Sequence, residues 1–278
     1  MPEAAEVAVA AAQLDEVARG RTLLALPVTH ERTVRHTDPA ALAALAGHVV
    51  AGARSHGKWI VVRFVGIDDA LGIHLRMSGQ LLVADPGTPH PDRHVHASLH
   101  LGPTPERGVE VWFRDPRTFG ELRVLADGAA PVAPDLFDAS LTGVRLHELA
   151  ARRRAAVKAV LLDQQRVVAG IGSYLADEAL HRAGISPNAP AGELAPSAWD
   201  RVLAAARDIA TESKAAGGVT LEDEGWVDLR GRPGTYAERL RVHARAVCAT
   251  CGTATSSAIV GGRSARWCPR CQHARRRR

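Results

Sequence analysis

No cysteine occurs before residue 248, no run of 18 or more apolar residues occurs anywhere, and only 4% of the 278 residues are aromatic. A body without cysteine excludes a disulfide framework there. Without a long apolar run there is no candidate for a spanning helix. The opening stretch MPEAAEVAVAAAQLDEVARG has no basic region ahead of its apolar part and does not read as a signal peptide. A cytoplasmic protein with no membrane partner is therefore expected. Internal repeats and long low-complexity linkers are also lacking. What is present is ordinary for a folded chain: 46% apolar residues, enough for a real core, and 23% charged ones. The length suits two ordinary domains or one large one.

Charge is unevenly spread. From Trp226 onwards there are 12 Lys/Arg against 2 Asp/Glu, a net of +10, whereas the first 225 residues carry a net of −5. Removing the closing Arg275–Arg278 run still leaves the C-terminal part at +6. A basic module on a mildly acidic body points to a polyanionic partner.

All four cysteines fall in that module, as Cys248, Cys251, Cys268 and Cys271 in a C-x2-C-x16-C-x2-C pattern. Each C-x-x-C puts two thiolates on one tight turn, and two turns complete a tetrahedral Zn²⁺ site. Four protein ligands leave no open position, so one structural zinc per chain is expected. Between the pairs, Gly261-Gly262 suits a tight hairpin turn, and Arg263 just beyond it suits contact with a phosphate or a base, or equally reads as a plain surface arginine.

The rest of the chain divides by pattern. Glu3–Ala18 reads as a helix, with Pro2 at its start and Gly20 beyond its end. β-rich runs follow at Thr22–Thr29, Val49–Val65, Ala70–Asp85, Ala97–Leu101 and Val109–Leu125, with turn signals at Gly66–Asp69, Pro86–Pro91 and Gly102–Gly108. After Pro131–Asp135 the strand signal stops, and Leu141–Arg154, Val157–Gln165, Tyr174–Ala183 and Ser197–Ala216 read as helices. The expected fold is α+β and multidomain. It has an N-terminal helix plus β-sandwich over 1–130, a helical domain over 131–225, and a C-terminal zinc-finger β-hairpin within 226–278.

The first residues carry chemistry of their own. Removal of Met1 frees the secondary amine of Pro2, which attacks an aldehyde carbon to give an iminium directly. An α-amine has a pKa of ~7.7–8.0, so a useful neutral fraction exists near neutrality. Glu3 follows at once, and Glu6 lies one helical turn on, on the same face. By themselves these residues are ordinary helix-start chemistry.

Taken in order, the motifs are Pro2-Glu3-x-x-Glu6-Val7, Lys58 on a strand, His74-Leu-Arg-Met-Ser-Gly79, Asp115-Pro-Arg-Thr-Phe-Gly120, Leu161-Leu-Asp-Gln164, Gly170-Ile-Gly172, Ala176-Asp-Glu178 and the four-cysteine finger with Gly261-Gly-Arg263. This series closely resembles the formamidopyrimidine-DNA glycosylase and endonuclease VIII family, from residue 2 to about Gln272. The resemblance implies a base-excision repair DNA glycosylase with abasic-site lyase activity on damaged double-stranded DNA. It also implies a helix-two-turn-helix domain, a monomer, and a bacterial cytoplasmic, nucleoid-associated setting. Pro2 would attack C1′ of the damaged nucleotide, and Glu3 would be the general acid. Lys58 would hold phosphate and assist β-elimination, and Arg263 would clamp phosphate and assist δ-elimination. Met77, Arg117 and Phe119 would fill the hole left by a flipped nucleotide. Glu6, His74, Arg93, Arg153, Lys158, Gly172 and Ser173 would complete the DNA-binding set. Without the family, Lys158 reads as a solvated helix residue. The stretch from Gly217 to Tyr236 resembles the region carrying the lesion-capping loop.

The pattern is departed from in places. Ala4-Ala5 stand where the family has Leu-Pro or Gly-Pro. Ser173 stands where it nearly always has a phosphate-contacting Asn. Asp92 and Arg93 stand where a phosphate-binding His would precede His94-Val95, and the DQQRVVAG segment carries one extra residue. Oxidised purines are the expected substrates, on the strength of Arg117 and Phe119. The alternatives are an endonuclease VIII-like preference for oxidised pyrimidines, towards which Ser173-Tyr-Leu leans, and a non-catalytic damaged-DNA binder.

Overall fold

The structure is a computed structural model of the whole chain, in which residues 2–104, 107–221 and 225–272 are described. The described chain divides into two compact units, residues 1–130 with 216–235, and residues 131–215 with 236–278.

The first unit opens with helix α1 (Ala4–Ala18). Its apolar residues are too dense for a single stripe because most of its surface is enclosed: Ala4, Ala5, Val7, Val9, Ala10, Ala11, Leu14 and Ala18 are all buried. The helix ends where expected, with Gly20 in the left-handed region at φ +76°. Strands β1 (Thr22–Ala25), β2 (Val50–His56), β3 (Trp59–Phe64), β4 (Ala70–His74), β5 (Gln80–Ala84), β6 (Val95–Gly102), β7 (Val109–Arg114) and β8 (Glu121–Leu125) follow, with a short helix α2 (Pro39–Ala43) between β1 and β2. They form two antiparallel four-stranded sheets, ordered β1-β6-β7-β5 and β2-β3-β4-β8. One core joins them to α1: Val7, Ala10 and Leu14 meet Ile60, Val62, Leu71 and Ile73 of one sheet and Leu81, Leu99, Val111 and Phe113 of the other. This is the expected β-sandwich.

Three of the expected β runs are not single strands. Val49–Val65 turns back on itself at Gly57-Lys58, whereas Ala70–Asp85 breaks at Leu75–Gly79 and Val109–Leu125 at Asp115–Gly120, each passing from one sheet to the other. Lys58 therefore sits in a two-residue turn rather than on a strand, because Gly57, at φ +58°, lets the chain turn back on itself.

The second unit contains helices α3 (Gly143–Ala150), α4 (Val157–Leu161), α5 (Ser173–Ala183) and α6 (Pro196–Ala215), then a hairpin of β9 (Ser256–Val260) and β10 (Arg263–Trp267). α3 and α4 are shorter than their apolar patterns suggest. The chain leaves α4 at Leu162, and DQQRVVAG forms the loop that leads to α5. Gly261 and Gly262, at φ +60° and +74°, make the two-residue turn of the finger hairpin. A Cβ on Gly261 would lie 2.7 Å from the Cβ of Ala159, so the turn packs tightly on α4.

The crossing before β8 has a sharp steric requirement. A Cβ on Gly120 would lie 2.5 Å from Cζ of buried Phe113 and 3.1 Å from the His74 carbonyl oxygen. Gly120→Ala is therefore expected to cost about 1–3 kcal/mol of stability, read as a lower urea midpoint.

Candidate DNA-repair site

In the first unit, the start of α1 is a reciprocal capping box. Glu3 is the N-cap residue, its carboxylate accepts from the Glu6 N–H, and Glu6 Oε2 accepts from the Glu3 N–H at 2.9 Å. Pro2 lies immediately ahead and is buried. Glu6 was expected at DNA, but it is enclosed, at 1% exposure. Its other oxygen accepts from the Val219 N–H at 2.7 Å. Burial pushes the Glu6 carboxyl up from its ordinary value, and the neighbouring Glu3 pushes it the same way. Gly218 closes over it at φ +96°, with no room for a Cβ beside the Glu6 side chain and the Trp226 indole. The Trp226 indole N–H donates to the Gly217 carbonyl at 3.1 Å. The helix start thus anchors the base of the 217–236 segment. Glu222 and Asp223, part of that expected loop, lie outside the described residues, as does Arg275–Arg278.

Lys58 is almost fully buried in its turn. Next to it on the sheet, His74 pairs with Trp59, ring edge to ring face at 5.0 Å. Burial, with Arg76 and Lys58 nearby, lowers the His74 pKa to about 3, so the imidazole is neutral. Its Nδ1 accepts from the Arg76 N–H at 3.0 Å, which leaves Nε2–H as the ring's donor.

Met77, Arg117 and Phe119 lie on two loops held by one buried side chain. Asp115 accepts from the Ser78 hydroxyl at 2.5 Å, from the Arg117 N–H at 3.3 Å and from the Gly120 N–H at 2.7 Å. It is fully enclosed. The loop it ties carries Thr118 in the left-handed region at φ +54° and an exposed Phe119, with the Arg117 guanidinium 5.4 Å from the phenyl centroid. From the side, Arg35 donates to the Phe119 carbonyl at 2.9 Å. The sequence motif alone gives Asp115 no role, and Arg35 lies in no motif. Arg93 is exposed, and its neighbour Asp92 is paired to Arg114 at 2.6 Å.

In the second unit, Gln164 organises the approach to α5. Its side chain accepts from the Gly170 N–H at 2.9 Å and donates to the Ile171 carbonyl at 2.6 Å. Gly172 is the N-cap of α5. Arg153 pairs with Asp163 at 2.8 Å and, against the desolvation of burial, holds that carboxyl below its ordinary value. Lys158 is not a solvated helix residue. Its side chain is fully enclosed, and Nζ reaches Asp177 Oδ1 at 2.7 Å, Ser173 Oγ at 2.9 Å and the Ser264 carbonyl at 2.5 Å. The Ser173 hydroxyl also donates to that carbonyl at 2.9 Å. Arg263 projects from the hairpin and is exposed.

The four Sγ atoms of Cys248, Cys251, Cys268 and Cys271 lie within 4.8 Å of one another, and no disulfide joins them. A tetrahedral zinc with bonds of about 2.3 Å spaces its sulfurs by about 3.8 Å, so the donor set fits one zinc. The metal is structural, because the set is closed.

Residues 1–122 match the formamidopyrimidine-DNA glycosylase N-terminal domain, residues 132–224 the H2TH domain of the same glycosylase, and residues 247–274 the zinc finger found in FPG and IleRS. A formamidopyrimidine-DNA glycosylase of Halorhodospira halophila is 38% identical over 98% of this chain and 100% of its own length. The chain belongs to the formamidopyrimidine-DNA glycosylase family. Another family member, from a Nocardioides species, is 37% identical over 100% of this chain and 96% of its own. Among solved structures, the MutM (Fpg) protein of Thermus thermophilus superposes with a TM-score of 0.84 at 29% identity, covering 98% of this chain and 99% of that one. A Lactococcus lactis Fpg variant in complex with Fapy-dG-containing DNA gives 0.86 at 25% identity, covering 98% and 100%.

Two outcomes are expected from this geometry. Asp115→Ala strands three donors under the paired loops and costs about 2–4 kcal/mol, measured by chemical denaturation. Stripping zinc with a chelator removes amide-exchange protection from β9 and β10 while the β-sandwich amides stay protected, because a four-cysteine finger draws its stability from the metal.

Proposed function

We propose that this protein is a bifunctional DNA glycosylase and abasic-site lyase that removes oxidised purines, 8-oxoguanine and formamidopyrimidines, from double-stranded DNA. The observation that carries the reading is the start of the chain. Pro2 stands directly ahead of a helix whose first turn is fixed by two enclosed carboxylates, so its amine is held in place rather than frayed.

The reaction follows from that amine. With Met1 removed, the Pro2 nitrogen attacks C1′ of the damaged nucleotide. The C1′–N bond to the base breaks, the base leaves with a proton, and opening of the sugar leaves an iminium between C1′ and Pro2. Glu3, within one residue of the nitrogen, supplies and removes the protons beside the sugar. β-Elimination then expels the 3′ phosphate with Lys58 as phosphate partner. δ-Elimination expels the 5′ phosphate with Arg263. His74, neutral with Nε2–H free to donate, suits a backbone phosphate. Met77, Arg117 and Phe119 replace the extruded nucleotide, offsetting the few kcal/mol of lost stacking and pairing. Glu6 acts from behind by holding the start of the chain and Val219, and Lys158 and Ser173 by holding Ser264 next to Arg263. Arg93, Arg153 and Gly172 remain as the outlying DNA contacts.

The reading divides the chain into working modules at 1–130, 131–225 and 226–278, acting as a monomer in the bacterial cytoplasm alongside the nucleoid. It is supported by family members that match end to end. Within the described residues no helix is long and apolar enough to cross a membrane.

The test is cleavage of duplexes carrying 8-oxoguanine, formamidopyrimidine or thymine glycol. The two purine lesions should be cut fastest. Pro2→Gly should abolish strand cutting, and Glu3→Gln should slow excision by about 10²–10⁴-fold. Parent-level cutting by both variants would leave a damaged-DNA binder or a different nucleophile. Preference for thymine glycol would move the substrate class to oxidised pyrimidines.

A further inference from the structure

The Asp177-Glu178 pair of α5 takes no part in the chemistry above, yet both side chains are buried. Glu178 accepts three consecutive backbone N–H groups, from Arg241 at 2.8 Å, Val242 at 2.8 Å and His243 at 2.7 Å. That is the segment leading into the first cysteine turn. Asp177 accepts from Lys158 on one oxygen; on the other it accepts from the Arg266 N–H at 3.2 Å and lies 2.8 Å from His243 Nδ1. Lys158 in turn donates to the Ser264 carbonyl at 2.5 Å. Strand β10 is therefore gripped at Ser264 and Arg266, one and three residues after Arg263. At the far side of the finger, Gln272 donates to the Ile185 carbonyl just past α5 and accepts from the Cys268 N–H at 2.8 Å.

We propose that α5 is a socket for the finger, and that Asp177 and Lys158 are positioning residues which set where Arg263 stands. Zinc folds the cysteine turns; the buried ion pair aims the hairpin that those turns support. The inference rests on the reading of Arg263 as the δ-elimination arginine, and it gives Lys158 and Ser173 an inward role. The Lys158 ammonium has three protons and three partners inside the protein. A group so committed acts on the reaction through the strand it holds. An unpaired buried charge is strongly destabilising, whereas replacing both members of a buried pair with apolar groups is often tolerated.

The experiment uses the full chain as Asp177→Asn and as the double variant Lys158→Met with Asp177→Leu, which leaves no lone buried charge. Each is measured for bound zinc, for borohydride trapping on abasic-site DNA, for the ratio of δ- to β-elimination products, and for amide exchange along β10. Expected are one zinc per chain and faster exchange at Arg266 in both, trapping at the parent rate in Asp177→Asn, and a δ-product share lowered by about tenfold, since small misplacements of a reacting group carry large rate penalties. Parent-level exchange and product ratio in the double variant would overturn the proposal. So would loss of zinc and trapping together with the δ product, because the pair would then merely hold the unit folded. Arg263→Ala in the same assay separates the two readings. If it leaves the δ share unchanged, the role of Arg263 fails, while the exchange data still decide whether α5 is the socket.

Discussion

A carboxylate taken out of water must be met by hydrogen-bond donors, and in this chain the donors are largely backbone amides of segments with little regular structure of their own. Glu6 takes the amides of Glu3 and Val219. Asp115 takes those of Arg117 and Gly120. Asp228 takes those of Arg230 and Arg232, and Glu178 those of residues 241 to 243. Each acid converts a loop into a fixed object. These loops are the start of the chain with the 217–219 backbone, the loop of Arg117 and Phe119, and the entry to the zinc finger. Apolar packing builds the sandwich and the helices, but it lacks the direction needed to aim Pro2, Arg117 or Arg263.

The same constraint explains how the charges are used. A few acidic residues, Glu6, Asp115 and Glu178 among them, sit inside and cap amides, while Arg117 and Arg263 stand exposed. A chain with a modest formal net charge of +5 can in this way present basic groups to a polyanion. His74 is kept neutral beside Arg76 and Lys58, adding a hydrogen-bond donor to its part of the surface without a further charge.

Much of this was legible in the sequence, for reasons that differ by residue. The four cysteines declare their site by spacing, and Gly261-Gly262 declares the turn because few other residues tolerate two successive positive φ values. α5 and α6 fall within a residue of their expected bounds, since long amphipathic helices carry a strong signal. The β runs blurred across their breaks, because His56-Gly57-Lys58, Met77-Ser78-Gly79 and Asp115-Pro116-Arg117 are short and flanked at once by further β-rich residues, with no Asn-Gly or Pro-Gly pair to mark them. The burial of Lys158 has no local sign, because a charged residue reads as solvated until its partner is known, and Asp177 lies 19 residues away. The enclosure of Glu6 is hidden in the same way, since its partner Val219 lies 213 residues away. His243, which joins the finger to α5, had no local signature.

The central claim is that the nucleophile is the amine of Pro2, freed by loss of Met1. The chain contains just three lysines, Lys58, Lys158 and Lys214, so the competing amines are few. The most direct measurement is peptide mapping by mass spectrometry of the borohydride-reduced adduct formed with abasic-site DNA. The account predicts one modified peptide, beginning at Pro2 without Met1 and carrying the reduced sugar on its terminal nitrogen. An adduct on a lysine peptide, or a chain that keeps Met1 and still cuts DNA, would contradict it.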